Sequence, residues 1–321
     1  AGFVSMAWRF ARVCFHIHMW GVIDAVNNTD ALAFTFPDAD EQKSIAARFC
    51  KRSGAGFSNV IGAIDGLLIW TRMPSEAMSR WVNCGQSNFR CHRKDRYGLN
   101  MQAICDDLLR FRWIDINWPG SSSDYMAWVT SSLHRELEDN AITKIILEGM
   151  TLVGDNAYIK KSFMAVPLKG KQSGYCDAYN YYQSQLRITI EQAFGVLVHR
   201  WAILRSPICV PLPKVSPMVL CLCRLHNFCI DRREMKCGKV DDSNWKHLHK
   251  EVRRYQEEEG GDASVVEISK EGNRPSSLLN QCHHFLDAEK HRKTDQDTPM
   301  DAMIKEVKEK NLQRRKPRSR S

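Results

Sequence analysis

The sequence predicts an α/β fold in which a mixed sheet is flanked by helices. Residues 59–70 are dense in β-branched side chains, which indicates a buried strand. Two more strand patterns follow, Tyr97–Cys105 and Leu109–Asn117, and the turn residues Asp106-Asp107 join them. Helical periodicity then alternates with short apolar segments, which is the pattern of a sheet covered by helices.

Composition excludes several classes of protein. The 321 residues carry a formal net charge of +9, and 43% of them are hydrophobic, so the chain can bury a core and is not disordered throughout. No apolar run reaches the roughly 18–20 residues that span a bilayer. Twelve cysteines are scattered from Cys14 to Cys282, which favours reduced thiols over a disulfide framework. The surplus of positive charge favours a polyanionic partner.

Three segments are predicted from changes in composition. Residues 1–55 form a helical N-terminal segment, within which Phe3–Val26 indicates a basic amphipathic helix remaining from a longer N-terminal domain, and Phe36–Glu41 has the acids of a helix start. Residues 56–233 form the α/β core. Residues 234–321 mix acids and bases with few periodic apolar residues, which predicts a charged and largely disordered tail.

Within the core, six further segments follow the three strands. The patterns predict a helix over Asp124–Glu138, apolar segments at Ile142–Leu147 and Met150–Gly154, a loop over Pro167–Tyr179, and helices over Tyr182–Trp201 and Pro217–Arg232.

Three carboxylates occupy particular places in this order of elements. Asp65 is in the first strand. Asp155 ends the apolar segment Met150–Gly154, which we take as the fourth strand, and Glu191 is in the long helix that follows. A ribonuclease-H-like arrangement brings these positions together, because its first and fourth strands are neighbours and the helix crosses them. The sequence therefore predicts a ribonuclease-H-like core with one acidic site.

The chemistry of phosphodiester hydrolysis explains why acids would gather there. The reaction needs an activated water and a counter-charge for the leaving oxygen, and two Mg²⁺ ions about 3.5–4 Å apart supply both. Mg²⁺ prefers oxygen ligands, so carboxylates suffice. Without cations, three neighbouring acids would repel one another and their pKa values would rise. We therefore expect Asp65, Asp155 and Glu191 to hold two Mg²⁺ or Mn²⁺ ions.

Each acid also has an ordinary structural interpretation. An Asp before Gly66 is commonly a turn residue, and an Asp at a strand end is commonly a cap. Glu191 could be an exposed helix glutamate. The apolar residues around Asp65 and Glu191, together with the shared order of all three acids, favour the site.

The chain resembles the PIF/Harbinger-type DDE transposases and the nucleases derived from them, which are DDE superfamily endonucleases. The resemblance runs from Phe36 to Arg232. It rests on six motifs in the family's order, which are Phe57–Gly66, Tyr97–Asp106, Trp118–Ser121, Val153–Tyr158, Arg187–Gly195 and Leu225–Ile230.

This resemblance implies a function. Asp65, Asp155 and Glu191 match the catalytic triad that holds the divalent metals. The implied activity is DNA strand cleavage at element ends, followed by transfer of the liberated 3′-hydroxyl into a short AT-rich target. The expected partners are DNA, an accessory Myb-like or helix-turn-helix DNA-binding protein, and further copies of the chain in a homo-oligomer; no membrane is expected. The expected location is the nucleus, and the basic run Arg314–Arg320 is typical of nuclear-import or nucleic-acid-binding tails.

The chain departs from the family at two motifs. The family's Gly-Asp-Ser-Gly-Tyr is replaced by Gly-Asp-Asn-Ala-Tyr at 154–158, and Ala157 cannot adopt a positive φ cheaply. After Trp118–Ser121, the family's Val-His-Asp-Ser is replaced by Ser-Ser-Asp-Tyr, which keeps Asp124. These changes leave two alternatives open: a domesticated or decayed relative that binds DNA or a protein without cleavage, and a ribonuclease-H-like nuclease that acts on RNA.

Other polar groups have two interpretations each. Arg187 lies one helical turn before Glu191 and could orient it, contact a DNA phosphate or form an ordinary ion pair. The basic run Arg90–Tyr97 could hold a phosphate backbone or be a solvated loop. The cysteines near His92 and His226 lack paired Cys-x₂-Cys spacing, which argues against zinc.

Overall fold

The computed structural model describes residues 17–81, 84–139, 145–237 and 298–314. The helices are α1 (residues 17–27), α2 (Ala39–Arg52), α3 (Glu76–Trp81), α4 (Asp124–Val129), α5 (Ser132–Glu138), α6 (Gly174–Arg200), α7 (Leu212–Cys237) and α8 (Pro299–Glu309). The strands are β1 (Val60–Trp70), β2 (Arg90–Cys91), β3 (Arg96–Cys105), β4 (Phe111–Pro119), β5 (Thr151–Val153) and β6 (Met164–Ala165).

One mixed sheet organises these elements. β1 pairs antiparallel with β3, and β3 pairs antiparallel with β4. On the other side of β1, β5 pairs in parallel with β1, and β6 pairs in parallel with β5. The two-residue strand β2 pairs with the start of β3. Helices α2 and α6 pack on β1, so the predicted ribonuclease-H-like core, a mixed sheet flanked by helices, is confirmed.

Local sequence explains the first elements. Asp38 caps α2 by accepting hydrogen bonds from the backbone N–H groups of Asp40 and Glu41, as the predicted helix start requires. Strand β1 is buried over its first half, consistent with its β-branched composition. The three predicted strands are confirmed to within two residues at each end.

Three predicted element boundaries are wrong. The helix predicted over Asp124–Glu138 is two helices, because Ser131 caps α5 by accepting from the N–H of His134. Helix α6 begins at Gly174, inside the predicted loop, because Ala178 and Tyr179 are fully buried. Helix α7 begins five residues before Pro217. The free energy gained by burying Val215 exceeds the loss of the one backbone hydrogen bond that Pro217 cannot donate.

Two parts of the predicted, largely disordered tail are helical. Residues 234–237 belong to α7, and residues 299–309 form helix α8 on the same compact unit as the core. Met300, Met303 and Val307 are buried against α6 and β6. A capping box between Thr298 and Asp301 starts this helix. The apolar residues Met300, Met303 and Val307 were too few to reveal this helix within so charged a sequence.

Several predictions fall on other parts of the chain. Residues 1–16, 142–144, 238–297 and 315–321 lie outside the described residues, and with them most of the predicted tail, most of its basic run and the start of the N-terminal helix. The described part of Ile142–Leu147 is not a strand. Among the described helices, none has the length and apolar character needed to cross a membrane.

Burial of α8 leads to a stability prediction. We expect Met303→Ala to lower the free energy of unfolding by about 2–4 kcal/mol, because the side chain is 1% exposed and its loss leaves a cavity. Lys305→Ala, on the exposed face of the same helix, is the control and should change it by less than about 0.5 kcal/mol. Urea unfolding followed by tryptophan fluorescence measures both; equal effects would show that α8 does not stabilise the core.

Candidate active site

Asp65 lies in the middle of β1, opposite Ala103 of β3. Its side chain is 19% exposed. The carboxylate oxygen Oδ1 accepts a hydrogen bond from the backbone N–H of Gly66 at 2.8 Å. The residue is therefore part of a strand and not of the turn that the dipeptide Asp65-Gly66 could have formed.

Asp155 reaches the same region through the pairing of β5. Val153 of β5 is the parallel partner of Ala63, so two residues later Asp155 comes level with Asp65. Its carboxylate accepts from the N–H of Ala157 at 2.8 Å, as a strand-end cap does. Ala157 is not among the described residues with positive φ, so the loss of the family's glycine causes no backbone strain here.

Glu191 is brought to the site by α6, which packs across β1. An Arg187 guanidinium one turn earlier lies between two of the acids. Its Nη1 is 2.7 Å from Oε1 of Glu191 and 3.9 Å from Oδ2 of Asp65. One cation therefore links the first and third acids, which are 126 positions apart in the sequence (191 − 65).

The electrostatic environment of Asp65 is unfavourable for its charged form. The pKa of Asp65 is raised to about 6, chiefly by burial and in smaller part by the negative charges of Asp155 and Asp124. The Gly66 N–H and the Arg187 guanidinium act in the opposite direction. Asp155 and Asp124 therefore lie close enough to Asp65 to repel its negative charge.

Asp124 is the acid whose place at the site the sequence did not reveal. It is the first residue of α4, yet Ser123 caps that helix, and the Asp124 carboxylate turns towards the sheet instead. Its Oδ1 accepts from the side-chain amides of Asn100 at 3.0 Å and Gln102 at 2.9 Å. The only indication in the sequence was that the motif after Trp118–Ser121 retains Asp124. That motif does not show which strand the carboxylate faces.

A buried tyrosine extends this network to the second acid. The hydroxyl of Tyr158, three residues after Asp155, donates to Oε1 of Gln102 at 2.6 Å. Burial and the nearby charges of Asp65, Asp124 and Asp155 raise the pKa of Tyr158, so it remains a neutral donor. The network joins β3, α4 and the segment that carries Asp155.

The donor chemistry of the site fits a hard divalent cation. The three predicted ligands and Asp124 offer carboxylate oxygens, which Mg²⁺ and Mn²⁺ prefer. In the described part of the chain, however, no three His, Cys, Asp or Glu side chains are already arranged around a metal position.

His226, one of the two histidines considered for zinc, has a structural role. Nε2 of His226 donates to the carbonyl of Leu109 at 2.9 Å, and its Nδ1 faces the guanidinium of Arg200. Asn227 forms two hydrogen bonds with the backbone of Phe111, so the motif attaches α7 to β4. These contacts are with protein groups, as expected for core residues.

The eight lysine and arginine residues of the segments 90–97 and 160–171 divide into two groups. Arg90, Lys160 and Lys161 form ion pairs with Asp95, Asp301 and Glu138, respectively, and Arg96 lies over the ring of Trp70. The remaining four, which are exposed, are Arg93, Lys94, Lys169 and Lys171.

The three acids lie on β1, after β5 and on the crossing helix α6 of this ribonuclease-H-like fold. The comparison with known families agrees: the DDE superfamily endonuclease family matches residues 64–227, just over half of the chain. The chain belongs to this family, which confirms the resemblance found in the sequence. Endonucleases of this superfamily generally use divalent metals.

Two curated relatives are similar to the chain. The mouse protein "Putative nuclease HARBI1" is 26% identical over 180 residues, which cover 55% of this chain and 48% of that protein. The Arabidopsis thaliana "Protein ALP1-like" is 26% identical over 243 residues, which cover 72% and 56%, respectively. The chain thus spans about half the length of each relative. No solved structure gives a significant match.

The close approach of Asp124 to Gly66 leads to a prediction. An alanine Cβ at position 66 would lie 2.0 Å from Oδ1 of Asp124 and 2.7 Å from Nε2 of Gln102. We expect Gly66→Ala to lower the free energy of unfolding by about 1–3 kcal/mol, because the buried network must move. Gly85→Ala, where the nearest atom is 3.8 Å away, is the control. Chemical denaturation measures both, and an unchanged Gly66→Ala protein would contradict the network.

The raised pKa of Asp65 leads to a second prediction. Because the folded protein binds this proton more tightly than the unfolded chain, stability is lost as the pH rises from about 4 to about 6. In metal-free buffer we expect Asp65→Asn to match the wild type near pH 4 and to exceed its free energy of unfolding by about 2–3 kcal/mol at pH 8.

Urea titrations at a series of pH values measure this difference. Asp40→Asn, in which the replaced carboxylate is 94% exposed, provides the control and should show no comparable rise. A difference between Asp65→Asn and wild type that does not change with pH would contradict the raised pKa.

Proposed function

We propose that this chain is a divalent-metal-dependent DNA endonuclease of the transposase type. It would hydrolyse phosphodiester bonds and transfer DNA strands with Asp65, Asp155 and Glu191 as its catalytic acids. The observation that carries the proposal is the meeting of β1, the end of β5 and α6 at one place, in a chain whose family match spans all three acids.

Each of the three acids would be a metal ligand. Asp65, held by the N–H of Gly66, and Asp155, held by the N–H of Ala157, would each present a carboxylate oxygen of fixed orientation to Mg²⁺ or Mn²⁺. Glu191 would complete the ligand set from α6. A pair of such ions, when bound, activates water and offsets charge on the leaving oxygen.

The substrate, partners and location extend the proposal. We propose DNA as the substrate, with the exposed Arg93, Lys94, Lys169 and Lys171 as contacts to its phosphate backbone. Such contacts carry no sequence information, so an accessory Myb-like or helix-turn-helix protein would select the site. A homo-oligomer would hold two DNA ends, and the protein would act in the nucleus.

Nicking of supercoiled DNA tests this function. We expect the purified chain to nick plasmid DNA with Mn²⁺ or Mg²⁺, and we expect both EDTA and Asp155→Asn to reduce the rate by at least about a hundredfold. Asn keeps the cap to Ala157 but removes the charge, so folding is retained. Asp177→Asn, also on a partly exposed acid, is the matched control and should keep the activity.

The other outcomes separate the rival functions. Activity that survives Asp155→Asn would refute the assignment of this acid. DNA binding without cleavage by wild type would identify a relative that has lost its activity. Cleavage of RNA in preference to DNA, measured with matched single strands, would indicate a ribonuclease.

A further inference from the structure

The position of Arg187 has a consequence for cation binding. Its guanidinium contacts Oε1 of Glu191 at 2.7 Å and approaches Oδ2 of Asp65 to 3.9 Å. The side chain is 25% exposed, and the two acids are 32% and 19% exposed. These charges are therefore only partly screened by water, and their mutual attraction is stronger than that of a surface ion pair.

A guanidinium and a metal ion compete for such oxygens. Mg²⁺ binds carboxylate oxygens at about 2.0–2.1 Å and requires near-octahedral space around itself. Nη1 of Arg187 lies within 4 Å of an oxygen of each acid. It therefore occupies space that an ion bound to both acids would need. Two positive groups in that space would also repel each other.

We propose that Arg187 is the internal counter-cation of this site. It holds Asp65 and Glu191 together in the cation-free protein, and it leaves the space between them when a divalent cation binds. This inference rests on the proposed function, since it takes the same two acids as metal ligands. It explains why, in the described residues, acids gather without already forming a ligand group.

Manganese binding tests the competition directly. We expect Arg187→Gln to bind Mn²⁺ on the order of tenfold more tightly than wild type, because no ion pair has to be broken and a repelling charge is gone. Free Mn²⁺ is quantified by electron paramagnetic resonance, without reference to nuclease activity. A residue that merely supported the fold would not raise the affinity when removed.

Arg80→Gln is the matched control. Arg80 also forms an i,i+4 ion pair on a helix, with Glu76 at 3.1 Å, so this variant loses the same charge and the same kind of pair. We expect its Mn²⁺ affinity to equal that of wild type. An equal gain in both variants would assign the effect to net charge and would overturn the role of Arg187.

A measurement on the wild type does not depend on how the variants fold. The Nε–H resonance of Arg187, assigned in the wild type itself by through-bond experiments, should shift during a Mg²⁺ titration and saturate together with the metal site. A resonance that does not move at saturation would overturn the inference.

These outcomes distinguish the proposed role of Arg187 from the proposed metal-dependent function on which it rests. Unchanged or weaker Mn²⁺ binding by folded Arg187→Gln, with saturable binding by wild type, refutes the counter-cation and leaves the metal site intact. Absence of saturable Mn²⁺ binding in wild type and variant alike refutes the proposed site and this inference together.

Discussion

The burial of one carboxylate, Asp65, close to other carboxylates is the constraint on which the centre of this fold depends. Parallel pairing of β1 with β5 brings Asp155 beside Asp65, and the sheet buries Asp65 enough to raise its pKa to about 6. The backbone N–H of Gly66 and the guanidinium of Arg187 offset part of the free-energy cost of the charged Asp65. A cluster that destabilises its own protein is typical of a functional site, where charges are arranged for a ligand and not for stability.

The polar network on β3 shows how the site is held in place. Asn100 and Gln102 direct their amides to Asp124, and Gln102 accepts from Tyr158. Because Gln102 and Tyr158 are almost fully buried, an unpaired group there would cost about 1–3 kcal/mol. Each member therefore restrains the others, and the segment after β5 cannot shift without breaking bonds on β3.

Helix α8 links the end of the described chain to this core. Lys160, five residues after the second acid, pairs with Asp301 at 2.8 Å, and Lys310 donates to the carbonyl of Ala55 just before β1. The family match ends at residue 227, so this helix adds to the part of the fold that the family shares. Its contacts therefore reach the segment before β1, the strand of Asp65, and the segment that follows Asp155.

The sequence by itself determined the order of the three long strands and the long helix α6, and the places of the three acids in that order, because periodicity and β-branched composition act over neighbouring residues. Asp65, Asp155 and Glu191 could be chosen since each occupies a defined element. Tertiary structure alone decided that Asp124 abuts Gly66, that Arg187 lies between two acids and that α8 is buried. Those facts depend on register and on packing between distant segments, and local pattern carries no information about either.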